Sequence, residues 1–144
     1  MKRTAIAIGA AALHLAAAVA AHAQTETGAG GLSLELNAAQ PSEKGCRLTF
    51  VVNNGLAADL KAASFELVLF DKAGVVDRIT ALGFKEMPEG KTKVSRFDLS
   101  GVDCGNLGRV LVNSVTECSG EGIEPDACSQ QLRTSTRAGV EFGT

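Results

Sequence analysis

Apolar and polar residues alternate one for one in a series of separate stretches, and this period of two constrains the chain more than any other feature. Leu32, Leu34 and Leu36 alternate with Ser33 and Glu35, the pattern of a strand with one buried face. Cys46, Leu48, Phe50 and Val52 do the same against Arg47, Thr49 and Asn53, and Asn53-Asn54-Gly55 closes that strand with a turn signal. In residues 63–71, Phe65, Leu67 and Leu69 share one face while Val68 and Phe70 thicken the other. That composition predicts a central strand covered on both sides near its end. Asp71-Lys72-Ala73-Gly74 reverses the chain into a hairpin arm over 74–82, and Pro88-Glu89-Gly90 makes the next turn. Further strands are predicted over 91–98 and 108–115, and RAGVEF at 137–142 adds a seventh, edge strand through Val140 and Phe142. No amphipathic helix interrupts the series. The expected fold is therefore all-β, an antiparallel sandwich of six to seven strands.

The N-terminus reads differently. Lys2 and Arg3 precede an Ala-rich apolar stretch, and Ala21-His22-Ala23 stands before Gln24. This is the form of a secretory signal peptide over 1–23, cleaved between Ala23 and Gln24. The stretch is interrupted by His14 and is short of the roughly 20 strongly apolar residues that a membrane span needs. Residues 24–31, QTETGAGG, offer nothing to pack and read as a flexible leader. The ordered domain is expected over 32–144, in the periplasm or outside the cell.

Cleavage changes the chemistry that remains. Lys2 and Arg3 leave with the signal, so twelve basic residues face sixteen acidic ones and the formal charge becomes −4. A mildly acidic exported chain has little to offer nucleic acid or an anionic membrane surface. Both histidines, His14 and His22, are also lost, and the chain has no Trp or Tyr. Nucleophiles activated by imidazole and imidazole-based metal sites are thereby excluded. Glycines lie in no phosphate-binding pattern ahead of a helix, so no cofactor is expected. With only carboxylates, Ser, Thr and Lys left and no recognisable constellation, the chain does not read as an enzyme.

Four cysteines allow three pairings. Strand parity chooses among them. If strands alternate in direction, the second and sixth begin at the same end, where Cys46 starts one and Cys104 precedes the other. Cys118 follows the sixth strand at the opposite end, within reach of Cys128. The expected pairs are Cys46–Cys104 and Cys118–Cys128, the second closing a loop near 116–130. Stapling accounts for all four, since there is no C-x-x-C motif and no neighbouring His.

Within that loop Glu117, Glu121, Glu124 and Asp126 concentrate carboxylates. Hard oxygen ligands of this kind suit calcium, although no EF-hand spacing is present, and the plainer reading is a solvated acidic loop. Asp98 and Asp103 are a possible carboxylate pair whose ordinary role is turn capping. Lys85, Lys91, Lys93 and Arg96 form the main basic concentration and suit a solvated surface or edge protection.

Taken together, CRLTFVVNNG, FELVLFDKAGVV and MPEGKT resemble the FxLYD-type and related immunoglobulin-like domains of exported bacterial proteins. The features that carry the resemblance are Val51-Val52-Asn53-Asn54, Leu69-Phe70-Asp71, Gly74 and Pro88-Glu89-Gly90, spanning residues 45–98. Cys104-Gly105 and the closing RAGVEF also resemble small exported proteins of alphaproteobacteria. The resemblance implies an immunoglobulin-like sandwich and an exported location, and carries over no catalytic residue. Two functions are expected. One is a non-catalytic binding or accessory module that meets a protein partner, an inhibitor-like loop at 118–128 being its sharper form. The other is a small-ligand or calcium-binding protein using the acidic 117–126 segment.

Overall fold

A computed structural model describes residues 30–144. The signal segment, the Ala23 and Gln24 cleavage site and most of the leader lie outside the described residues. Gly31, read above as leader, belongs to the domain, because it exchanges two backbone hydrogen bonds with Gly55 at 3.2 and 2.8 Å.

Eight strands are present among the described residues, one more than the upper expectation. They are β1 (Leu32–Ser42), β2 (Gly45–Asn54), β3 (Leu60–Asp71), β4 (Val76–Met87), β5 (Thr92–Ser100), β6 (Leu107–Ser119), β7 (Leu132–Thr136) and β8 (Glu141–Gly143). A 3-10 turn at Cys104–Asn106 and a four-residue helix, α1 (Ala127–Gln130), complete the described elements. Two four-stranded sheets form, in the orders β5-β2-β1-β7 and β4-β3-β6-β8. Both are mixed, which corrects the expectation of an all-antiparallel arrangement: β7 lies parallel to β1, and β8 parallel to β6. The short connections reverse the chain at every step, so odd strands run one way and even strands the other. Odd meets odd at one outer position and even meets even at the other, and parallel pairs result.

The alternating side chains divide as their period requires. Leu32, Leu34 and Leu36 of β1, Cys46, Leu48, Phe50 and Val52 of β2, and Ala63, Phe65, Leu67 and Leu69 of β3 are buried in one core shared by the two sheets. Five of the six phenylalanines meet there. Phe50 stands edge-on to Phe84, Phe97 and Phe142 at 5.7, 6.1 and 5.7 Å, and Phe84 also meets Phe65 and Phe97. Edge-to-face rings at such spacing gain about 0.5–1.5 kcal/mol per pair beyond area burial. These contacts join strands of both sheets.

Each end of the molecule has its own closure. At one end Cys46 is bonded to Cys104, their Cα atoms 5.0 Å apart, and at the other Cys118 is bonded to Cys128 at 5.9 Å. These are the two pairs that strand parity gives. Asn54 closes the second end. It is fully buried, its Nδ2 donates to Ala58 O and Met87 O at 2.9 and 2.8 Å, and its Oδ1 accepts from Leu56 N at 3.0 Å. Its backbone N donates to Lys91 O and its carbonyl accepts from Gly90 N. A buried amide with every group used in this way ties the end of β2 to the end of β4 and to both neighbouring connections.

The side where β4 and β5 run past one another is closed by two basic side chains. Arg78 stands opposite core-facing Leu69, and Lys93 opposite core-facing Val52. Arg78 Nη1 donates to Ser100 O at 2.6 Å, and Lys93 Nζ donates to Glu86 O. Each sheet thus sends one inward-set cation to a carbonyl on the other sheet's outer strand, a known device for blunting exposed edges.

Candidate functional site

The four carboxylates singled out in the sequence do not form one site. Strand β6 continues through Cys118 to Ser119, so the loop expected over 116–130 is shorter and Glu117 sits on the sheet. There Glu117 Oε2 accepts from Ser64 Oγ at 3.2 Å. Asp126 lies at the start of α1, where its backbone carbonyl accepts from Ser129 N and Gln130 N and its carboxylate from the Gln130 amide. Glu124 offers its carbonyl to Ala127 N. Glu121 lines a cleft. Among the described residues no group of three or more His, Cys, Asp or Glu is arranged to hold a metal ion.

That cleft has a volume of about 500 Å³ and is lined by Asp59, Lys61, Glu86, Pro88, Glu89 and Glu121, with Leu60 at its base. Three connections meet in it: the β2–β3 link, the β4–β5 turn and the segment after β6. Asp59 holds them together. Its Oδ1 accepts from Glu89 N at 2.8 Å, and its carbonyl lies so close to Gly120 that a Cβ there would stand 2.2 Å away. Gly120 is therefore required by the approach of two backbones. Asp59, Glu86 and Glu89 were not singled out from the sequence. The signal was available, since the strand parity that pairs the cysteines also sends these three connections to one end.

Asp98, Asp103 and Lys93 have structural partners. Asp98 faces Arg47 across the β2–β5 ladder, with Arg47 Nε and Nη2 donating to its two oxygens at 3.0 Å each. The Arg47 guanidinium holds the Asp98 carboxyl below its ordinary range. Ser42 Oγ is sheltered from solvent and outside hydrogen-bond geometry, yet lies close enough to add to that lowering. Asp103 Oδ1 caps the 3-10 turn by accepting from Gly105 N at 2.8 Å. In the basic group, Lys93 serves the edge closure described above. The Glu35 carboxyl is lowered chiefly by the Asn37 side-chain amide, with burial opposing as the next largest effect and Arg137, which binds it at 3.1 Å, adding to the lowering.

A different surface stands out for its apolar character. β3 is central, as expected, and Val68 on its outer face is buried, but among the described residues no further sheet or helix lies over that face, so the expected cover on both sides is only partial. Val68 aligns with Ile79 of β4 and Leu111 of β6, and Phe70 with Val76 and Arg109. The Arg109 guanidinium lies 5.8 Å from the Phe70 ring centre. Four large apolar side chains among the described residues are exposed, and three of them, Val75 (61%), Val76 (50%) and Ile79 (60%), fall within five residues of this hairpin. Isolated exposed apolar residues are ordinary; a cluster above an apolar row marks a contact surface. The hairpin is rigidly built. Asp71 Oδ1 accepts from Ala73 N and Val75 N at 2.9 Å each, and Asp71 N donates to Val75 O.

No helix among the described residues is long and apolar enough to cross a membrane. Comparison with family models, with curated proteins and with solved structures finds no match.

Proposed function

We propose that this protein is an exported, non-catalytic binding or accessory module that acts through protein contacts made by the outer face of the β4-β3-β6-β8 sheet. The carrying observation is the exposed trio Val75, Val76 and Ile79 on a stiff hairpin, continuous with Val68, Phe70 and Leu111. Arg109, Glu141 and Asp77 supply polar neighbours. An apolar centre with a charged rim is the usual anatomy of a protein interface. Two disulfides suit an oxidising compartment and support export.

The immunoglobulin-like reading of the fold belongs with this proposal. Its support is that β1–β2, β2–β5 and β3–β6 are neighbours, as the A–B, B–E and C–F strands are in that architecture. Cys46 on β2 and Cys104 just before β6 bridge near the positions of its B–F disulfide. The parallel β6–β8 pair departs from it.

The test is recovery of partners from a periplasmic extract by the oxidised protein, by a Val76→Glu/Ile79→Glu variant and by a form lacking residues 119–127. Both altered side chains are exposed, so the variant is expected to keep its stability within about 0.5 kcal/mol. Loss of a specific partner with the face variant supports the reading. Equal recovery counts against it, and loss only on deletion of 119–127 transfers the contact to the disulfide-closed loop.

A further inference from the structure

Asn-Gly is the dipeptide in which the backbone nitrogen of the second residue most readily attacks the side-chain amide of the first, because glycine puts no side chain in the way. Here that dipeptide is Asn54-Gly55, at the closed end of the molecule. In the reaction Gly55 N gives up its proton to solvent and bonds to Asn54 Cγ, and Nδ2 departs as ammonia. Water then opens the cyclic imide to aspartate or isoaspartate. No oxidant, reductant or metal takes part.

Every atom that must move is held in the folded protein. Asn54 is extended as the last residue of β2, is fully buried, and has both Nδ2 hydrogens and its Oδ1 in hydrogen bonds of 2.8–3.0 Å. The attacking nitrogen is engaged too, since Gly55 N donates to Gly31 O at 2.8 Å. Gly55 stands so close to Gly31 that a Cβ would lie 2.6 Å from the Gly31 carbonyl, so the residue that confers reactivity is also the one the packing requires. The product would not fit. A carboxylate has no hydrogens for Ala58 O and Met87 O, and would set charge against two buried carbonyls.

We infer that Asn54-Gly55 is a modification site gated by folding, silent in the native protein and converted in the unfolded chain, and that conversion blocks the return of the native closure. Chemical change of the unfolded state would thus make unfolding irreversible over time. The inference is independent of the proposed partner surface.

Oxidised protein is aged in mildly alkaline buffer, native in one arm and unfolded in denaturant in the other, and peptide mapping follows amide-to-acid conversion at Asn54. Conversion in the native arm is expected to be slower by at least about a hundredfold, since only a cooperative opening frees the site. After removal of denaturant, converted Asn54 should concentrate in the fraction that fails to refold, while conversion at Asn113, exposed on the outer face, should divide evenly between fractions. Equal rates in the two arms, no conversion in the unfolded arm, or converted Asn54 distributed evenly after refolding would each overturn the inference.

Discussion

Asn54 shows how one polar side chain can organise an end of a two-sheet protein. Asn54→Ala would leave Leu56 N, Ala58 O and Met87 O without their partners. Buried unpaired groups of this kind cost about 1–3 kcal/mol each before relaxation, so a loss of about 2–4 kcal/mol is expected in denaturant unfolding. A loss well below 1 kcal/mol would mean that water reaches these groups and the closure is not dry. The charged pairs act through pH. Asp98 and Glu35 are held below their ordinary values of 3.8 and 4.5 by Arg47 and by Asn37 with Arg137 respectively. A carboxyl whose folded value is depressed contributes stability that is present above the unfolded value and lost as pH falls through the folded one. Stability should therefore decline on acidification below these two ordinary values. Asp98→Asn should make that decline shallower, with Arg47 left on the surface. An unchanged acid limb in the variant would show that the Arg47 pair does not couple to folding.

At the level of elements, the two cations that cross from sheet to sheet occupy the outer edges of β4 and β5, where an inward-set charge opposes pairing with a further strand. Lys93→Met keeps the stem and removes the donor to Glu86 O. It should cost about 1 kcal/mol, the net worth of an ordinary hydrogen bond, and raise self-association seen by light scattering. Lower stability with no association would limit Lys93 to a local bond. The strands whose inward positions are mostly large and apolar, β2 and β3, were plain in the sequence. β7 was not, because of Leu132, Thr134 and Thr136 only Leu132 is apolar, and its backbone partner β1 is a hundred residues away in sequence. Sequence periodicity reports burial and cannot report pairing. β1 accommodates Pro41 and runs to Ser42, since β7 covers only Leu32–Leu36 and leaves the later part of β1 paired on one side. The apolar outer face was half visible. Val68 and Phe70 signalled a second apolar face, but whether another layer lies over it depends on the topology.

Across the whole molecule, alternation of strand direction is the property that reaches furthest. It sorts the connections into two ends, brings Cys46 to Cys104 at one and Cys118 to Cys128 at the other, and gathers Asp59, Glu86, Glu89 and Glu121 around one cleft. It was legible, whereas the sheet to which each strand belongs was not. The two bridges differ in what they constrain. Cys46–Cys104 spans 58 residues and links β2 of one sheet to the approach to β6 of the other, while Cys118–Cys128 spans 10 and closes a local loop. Chain entropy makes the first worth about 4 kcal/mol and the second about 3 kcal/mol. Replacing each pair by alanine and unfolding the two variants in denaturant should place both below the wild type, the long-bridge variant lower by about 1 kcal/mol. Hydrogen exchange separates the cases further. Loss of the long bridge should reduce protection throughout both sheets, because it lowers the global opening energy, whereas loss of the short one should free the 120–131 segment most. If the short-bridge variant proves the less stable, burial of Cys128 in the core outweighs loop closure as the source of its stabilisation.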